Sequence, residues 1–348
     1  MIWLVFGMSY AFIEKGLLGD LTYYPSTGNP YDFGITTILF LVVVSISGVI
    51  VGHFEITFLS KQFAEQSIVK KILYKSLIYL SIILSFLLIS TSVSNYFGLG
   101  EEATWSAVGQ NILIFIQSFA FLSVVLYIAL IIAVSLFLSE VSENLGIQVL
   151  HNFLVGKYHQ PIQEERIFMF VDMKSSTTIA EKLGHVKYFE MLKAYYANFS
   201  ESIISHSGEI YQYVGDEIIV TWPLGSGKEN NRCLDCFYSM QDSLLQNAEY
   251  YQSEYGLVPS FKAGLHEGKV TTGEIGEIKK DIIFTGDVLN TTARIQGLCN
   301  QYEVNLLLSG NLKVHLVETN QYQFRALGEN ELRGRATIVE LYTVDRSL

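Results

Sequence analysis

Over the first 138 residues apolar positions come in nearly unbroken runs, whereas beyond about residue 160 they alternate with polar ones at strand or helix spacing. A helix needs about 20 apolar residues to cross a hydrocarbon layer of about 30 Å. Ile35–Gly52, Ser76–Ser94 and Ile112–Leu138 are uncharged runs of that order. Met1–Ile13 is shorter, stops at Glu14 and Lys15, and lacks the basic start and cleavage motif of a signal peptide. It reads as a short or N-terminally incomplete first span. The pattern therefore predicts a membrane domain over residues 1–138 with four transmembrane helices, at about 1–18, 35–54, 76–94 and 111–138.

Lys61, Lys70, Lys71 and Lys75 fall between the second and third runs, while Asn95–Ala107 carries Glu101 and Glu102 and no basic residue. Basic loops stay on the cytoplasmic side. Four spans then return the chain to the cytoplasm from about Ser139, which predicts a multi-pass protein of the cell membrane with the bilayer as its first partner. Tyr23, Tyr24, Tyr31, Phe33 and Trp105 cluster at the outer ends of the spans, where aromatic rings anchor helices. His53 and Glu55, at the inner end of the second span, are either interfacial or a buried polar site, and the neighbouring loop favours the interface. The third and fourth runs contain no acidic, basic or His side chain, which argues against an ion or proton pathway.

From Ser139 to Gln160, Val141, Leu145, Val149, Leu150, Phe153 and Leu154 recur at helical spacing until Pro161, predicting a helical coupling linker over 139–162. Next comes a buried strand, Arg166–Met173, then a helix over Thr177–His206 broken near Gly184 and capped by Ser175 or Ser176. Glu209–Tyr213 and Glu217–Trp222 flank Val214-Gly215-Asp216 as a hairpin. Asn230–Tyr255 reads as a helix, Phe261–His266, Val270–Ile275 and Ile282–Thr285 as strands, and Asp287–Cys299 as a helix. Strands Val304–Ser309, Tyr322–Ala326 and Thr337–Val344 complete the chain. This succession predicts an α-helical transmembrane region followed by an α+β domain of the ferredoxin-like sort over 163–348.

Composition sharpens that division. Half of the residues are hydrophobic and 16% charged, too apolar for one soluble globule. A net charge of −11 leaves no broad basic face and makes nucleic acid an unsuitable partner. Cys233, Cys236 and Cys299 are too few for a disulfide framework, and the C-x-x-C has no second pair or nearby His to complete a zinc site. Both cysteines read as helix residues in a reducing cytosol. Gly225-Ser226-Gly227-Lys228 has Trp222 where a phosphate loop needs its first glycine, and reads as a flexible loop.

Three short stretches carry candidate chemistry. In Phe170-Val171-Asp172-Met173-Lys174-Ser175-Ser176-Thr177 an acid ends an apolar strand and a helix starts at once. Free N–H groups at a helix start suit phosphate, and the carboxylate suits the Mg²⁺ that bridges it. In Tyr213-Val214-Gly215-Asp216-Glu217 the glycine permits the turn and Asp216 rides at its tip; beside the first strand, its carboxylate and that of Asp172 would converge on paired metals. Gly286-Asp287-Val288-Leu289-Asn290-Thr291-Thr292-Ala293-Arg294 puts Asn290 and Arg294 on one helix face, suited to a ribose and a phosphoryl transition state. Singly these read as a helix cap, a turn residue and a solvated helix face. Their joint order is far more specific.

With Phe261-Lys262-Ala263-Gly264-Leu265-His266-Glu267-Gly268 between the second and third, residues 160–345 resemble the class III adenylyl and guanylyl cyclases. The resemblance implies that Asp172 and Asp216 bind two Mg²⁺ or Mn²⁺ per site, that Ser175, Ser176 and Thr177 face the substrate phosphates, and that Asn290 and Arg294 come from the partner subunit of a homodimer. Leu332-Arg333-Gly334-Arg335 resembles the family's basic segment for the terminal phosphates, with Arg335 either in that role or at a solvated surface. Family cyclases that use ATP carry Lys three before the hairpin Gly and Asp or Thr three before the helix Gly, where this chain has Gln212 and Ile283. The guanine-type Glu and Cys are missing too, so Gln212, Ile283 and nearby Thr285 are the purine-pocket candidates. The expected activity is conversion of ATP to 3′,5′-cyclic AMP and pyrophosphate. The alternatives are a guanylate or mixed-purine cyclase that takes GTP, or a degenerate domain that binds nucleotide as a signalling module.

Overall fold

In the computed structural model, which describes residues 2–25, 31–59, 62–63, 66–100, 103–332 and 338–347, the apolar runs of the first 150 residues fold as helices. The chain divides into two units, residues 1–150 and 151–348. In the first unit the helices are Ile2–Leu18, Phe33–Phe54 with a π-helical turn at Glu55–Leu59, Ile68–Gly98, Trp105–Ile116 and Phe119–Leu145. Among the described residues two helices are long and apolar enough to cross a membrane, Ile68–Phe97 and Phe119–Ser142.

Three expectations for this unit need correction. The run over 111–138 is not one helix: Ser118 accepts a hydrogen bond from the Phe121 N–H at 3.2 Å and caps a new helix after Ile116. Hydropathy alone does not register such a cap. Lys70, Lys71 and Lys75 are not in a loop but in the first turns of the helix that begins at Ile68. Lysines near a helix start oppose its dipole. Here carboxylates compensate: Lys75 pairs with Glu55 at 2.6 Å and with Glu140 at 3.5 Å, and Lys71 also pairs with Glu140 at 3.5 Å. Glu55 is thus an ion-pair partner, with Lys75 5% exposed and Glu140 3% exposed. The coupling helix, finally, does not run unbroken to Gln160. Gly146, at φ +86°, breaks it, and the piece Ile147–Leu154 ends in turns, because a glycine at positive φ leaves the helical region without the penalty a Cβ would bring.

The second unit is built on one sheet. Its strands are β1 (Ile162–Met173), β2 (Glu209–Val214), β3 (Glu217–Pro223), β4 (Phe261–Ile275), β5 (Asp281–Thr285), β6 (Leu306–Ser309), β7 (Tyr322–Glu331) and β8 (Ile338–Arg346). They run in the order β2-β3-β1-β4-β6-β8-β7, with β5 against β4. Only the β4–β6 pairing is parallel among these described strands.

Alternation along β1 sorts its side chains to two faces. Ile167, Met169, Val171 and Met173 join a core with Tyr195 and Phe199 of the His185–Ser205 helix and Phe237 and Met240 of the Arg232–Gln246 helix. Phe168 and Phe170 pack on the other face with Ile219, Val270 and Val288, the last from the Asp287–Gly297 helix. Burial on both faces explains the continuous apolar run. Each fully buried side chain of this size contributes about 1.5–3 kcal/mol. The Asp287–Gly297 helix lies close on β4 because two positions there lack a Cβ: at Gly264 one would sit 2.4 Å from the Gln296 backbone N, and at Gly268 2.8 Å from Val288 Cγ2.

The remaining differences from the sequence expectation are local. β4 is one 15-residue strand where two were expected, since Glu267, Gly268 and Lys269 keep pairing with Ile167, Arg166 and Glu165. The helix over 230–255 is interrupted at Asn247. Leu224–Lys228 is a short helix rather than a flexible loop, and Gly227 is a packing glycine whose Cβ would meet Trp222 Cβ at 2.7 Å. Cys233 and Cys236 are helix residues in the core, and burial pushes the Cys233 thiol up to about 12.

Candidate active site

Asp172 stands near the end of β1 on the Phe168–Phe170 face. Antiparallel register sets Glu217 of β3 on one side of it and Lys262 of β4 on the other. Paired residues of neighbouring strands project to the same face. The result is a row, Lys262–Asp172–Glu217, across three strands. Lys262 Nζ lies 3.4 Å from Asp172 Oδ2, and Gln296 Nε2 donates a hydrogen bond to the same oxygen at 3.1 Å.

Asp216 joins this row from the turn between β2 and β3, where Gly215 takes φ +64°. Tyr196 Oη donates to the Gly215 carbonyl at 2.9 Å and lies 3.3 Å from that of Glu217, which fixes the turn. Burial and then the Asp216 charge push the Asp172 carboxyl above its usual range, while Lys262 and Gln296 pull the other way. Burial followed by the charges of Asp172 and Asp216 pushes Glu217 up to about 7. Among the described residues Asp216 Oδ2 is buried without a hydrogen-bond partner.

An unpaired buried carboxylate oxygen is costly, and a cation relieves that cost. Two crowded carboxylates, one with an orphaned oxygen, are a hard oxygen donor set of the kind Mg²⁺ or Mn²⁺ takes. Among the described residues the pair does not belong to a preformed cluster of three or more metal-ligating side chains. Further oxygen ligands therefore have to come from backbone, water or substrate.

The helix after β1 is Ser176–Leu183, with Ser175 as its N-cap at φ +56° and no cap bond from the Ser175 side chain. Its first-turn N–H groups are consequently not capped by the Ser175 side chain. Ser175 and Thr177 are exposed and Ser176 is half-buried.

Asn290 and Arg294 are one turn apart on the Asp287–Gly297 helix, exposed and half-buried respectively. Neither makes a hydrogen bond or ion pair with another described residue. Gln296, which touches Asp172, is about 200° around the helix from Arg294 at about 100° per residue. The Asn290–Arg294 face therefore points away from the carboxylates of its own chain.

Gln212 is exposed on β2 and pairs with Ile219. Ile283 is half-buried on β5, and Thr285 Oγ1 donates to the Thr271 carbonyl at 3.2 Å. A ring contact between Tyr211 and Phe284, 4.9 Å between centroids, brings the two strands together. Arg335 lies outside the described residues.

Several residues of the site were not singled out by the sequence. Lys262 and Glu217 sit inside the quoted motifs, but only strand register reveals what they flank. Gln296 is two residues past Arg294. Away from this site, six residues back along β1 from Asp172, Arg166 is 1% exposed, pairs with Glu164 and Glu209, donates to Thr221 Oγ1 and lies over the Phe284 ring at 4.8 Å. Its position just before an apolar run was the available signal.

Comparison with known proteins matches residues 158–345 to the family described as adenylate and guanylate cyclase catalytic domain. "Adenylate cyclase 2" of Rhizobium meliloti (strain 1021) is 36% identical over 200 residues, 58% of this chain and 55% of that protein. "Adenylate cyclase 1" of the same organism is 29% identical over 188 residues, 52% of this chain and 28% of that protein. The chain spans about half or less of the length of these relatives. In fold the chain is similar to a bacterial light-regulated adenylyl cyclase, with a TM-score of 0.56 at 21% identity over 66% of this chain and 67% of that one.

Proposed function

The chain belongs to the adenylate and guanylate cyclase catalytic domain family, and from that premise we propose that it is a membrane-anchored adenylate cyclase, active as a homodimer. The observation that carries the reading is the meeting of Asp172 with Asp216, whose Oδ2 is buried and unpaired, beside the uncapped start of the Ser176–Leu183 helix. The strand order β2-β3-β1-β4, with helices between β1 and β2 and between β3 and β4, supports a ferredoxin-like core. Two helices of membrane-spanning length, together with the apolar runs over 1–18 and 35–54, support a four-span anchor with the catalytic unit in the cytoplasm.

Asp172 and Asp216 would hold two Mg²⁺ or Mn²⁺ per site, which would supply activation of the ribose 3′-hydroxyl and positive charge for the triphosphate. First-turn N–H groups at Ser176 and Thr177, next to Ser175, take up phosphate oxygens, with Arg335 on the terminal phosphates. The ribose 3′-oxygen gives its proton to water and bonds the α-phosphorus, and the bond to the bridging oxygen breaks with its electron pair leaving on pyrophosphate. Arg294 of the partner stabilises the charge on the transferring phosphoryl group, and Asn290 of the partner orients the ribose. Both face away from their own chain's carboxylates, which is what a shared site requires.

Adenine is preferred because the two relatives above are named adenylate cyclases. Gln212 and Ile283 favour a second reading, a mixed-purine cyclase: a glutamine amide serves either base by flipping, and isoleucine offers shape alone. Turnover with ATP and with GTP tests both. Cyclic AMP from ATP supports the first, comparable rates on both substrates support the second, and no product from either overturns the enzyme reading.

A further inference from the structure

Asp172 is held from one side through one oxygen. Lys262 Nζ at 3.4 Å and Gln296 Nε2 at 3.1 Å both reach Oδ2, and the Lys262 side chain is 12% exposed. Register sets Lys262 on one side of Asp172 and Glu217 on the other, so the ammonium pairs with the middle carboxylate of the row, the one that Asp216 also crowds. An ammonium is a compact point charge on a flexible stem. Buried against like-charged carboxylates it offsets their repulsion, and it repels any dication that joins them.

We propose that Lys262 is a positioning residue of the metal site: with Gln296 it draws Asp172 Oδ2 toward β4, leaving the other oxygen for the dication, and its charge sets how tightly that dication binds. The proposal rests on the metal reading given above. In the metal-free protein Lys262 supplies positive charge that the carboxylates need. On metal binding it yields, and the work of displacing it weakens affinity. Because the stem can swing aside, the effect on affinity is about three- to tenfold rather than the far larger factor of a fixed charge.

The test is Mn²⁺ binding to the full-length protein in detergent, read as free Mn²⁺ by electron paramagnetic resonance and as the Mn²⁺-induced rise in Tm. Lys262→Met removes the charge and keeps most of the stem; Lys262→Gln serves if that variant does not fold. Either should bind Mn²⁺ about three- to tenfold more tightly than wild type and melt lower without metal, whereas Lys262→Arg should stay close to wild type in affinity. A purely structural lysine would lower the metal-free Tm without tightening binding. Unchanged or weaker affinity in the neutral variants, or a shift in Lys262→Arg as large as theirs, overturns the proposal while leaving the metal site in place. If wild type shows no Mn²⁺ site that Asp172→Ala and Asp216→Ala both remove, the metal reading falls and this inference with it.

Discussion

Asp172 is crowded by Asp216, and one Asp216 oxygen is buried without a described partner, so replacing either carboxylate tests chemistry more than folding. Asp172→Ala and Asp216→Ala should each cut cyclisation more than tenfold, a barrier increase above about 1.4 kcal/mol, with an unchanged circular dichroism spectrum. Activity above a tenth of wild type in either variant would argue against the metal assignment. Glu217 offers an independent check through pH. Its folded-state carboxyl is pushed up to about 7 from an ordinary 4.5, by burial and then by Asp172 and Asp216. Between those values the folded protein keeps a proton that the unfolded chain loses, so stability falls as pH rises through this window, and above it the whole cost of ionisation is present. Glu217→Gln should therefore raise the Tm of the metal-free protein at pH 8 and change it little at pH 4.5. An equal shift at both would mean that Glu217 is not strained by its neighbours.

One helix, Asp287–Gly297, carries Val288 into the core, Gln296 to Asp172, and Asn290 with Arg294 on its outer side. Its seat on β4 depends on the missing Cβ at Gly264. Gly264→Ala forces backbone apart where no flexible side chain can yield, and should cost about 1–3 kcal/mol or more of stability together with most of the activity. Gly225→Ala is the matched control, since a Cβ there meets nothing within 4 Å. Thermal melts that put the two variants on a par would show the helix to be less closely seated. At this scale most elements were legible in the sequence: the break at Gly184, the hairpin around Gly215 and the doubly buried β1 all follow from local pattern. The cap at Ser118 and the continuity of β4 were not. A serine in an apolar run looks the same whether or not it accepts a backbone N–H, and the polar stretch at Glu267 to Lys269 stays in strand only because β1 pairs with it.

For the whole molecule, a site divided between subunits makes a sharp demand. Co-expressing Asp172→Ala with Arg294→Ala should give heterodimers with one complete site, and random pairing should restore about a quarter of wild-type activity; purified heterodimers with no activity would speak against shared sites. The sequence by itself determined where the apolar runs lie, which stretches become helix or strand, and which chemically capable residues sit at strand ends and turns, because hydropathy period, glycine and helix-start residues act locally. Tertiary structure alone decided which of these meet. Lys262 and Glu217 flank Asp172 through a strand register set by distant segments, Gln296 reaches the same carboxylate only because Gly264 lets its helix descend onto β4, and the orphaned Asp216 oxygen exists only once the folded chain encloses that one atom. Long-range pairing and burial are properties of the packed chain, and no local pattern encodes them.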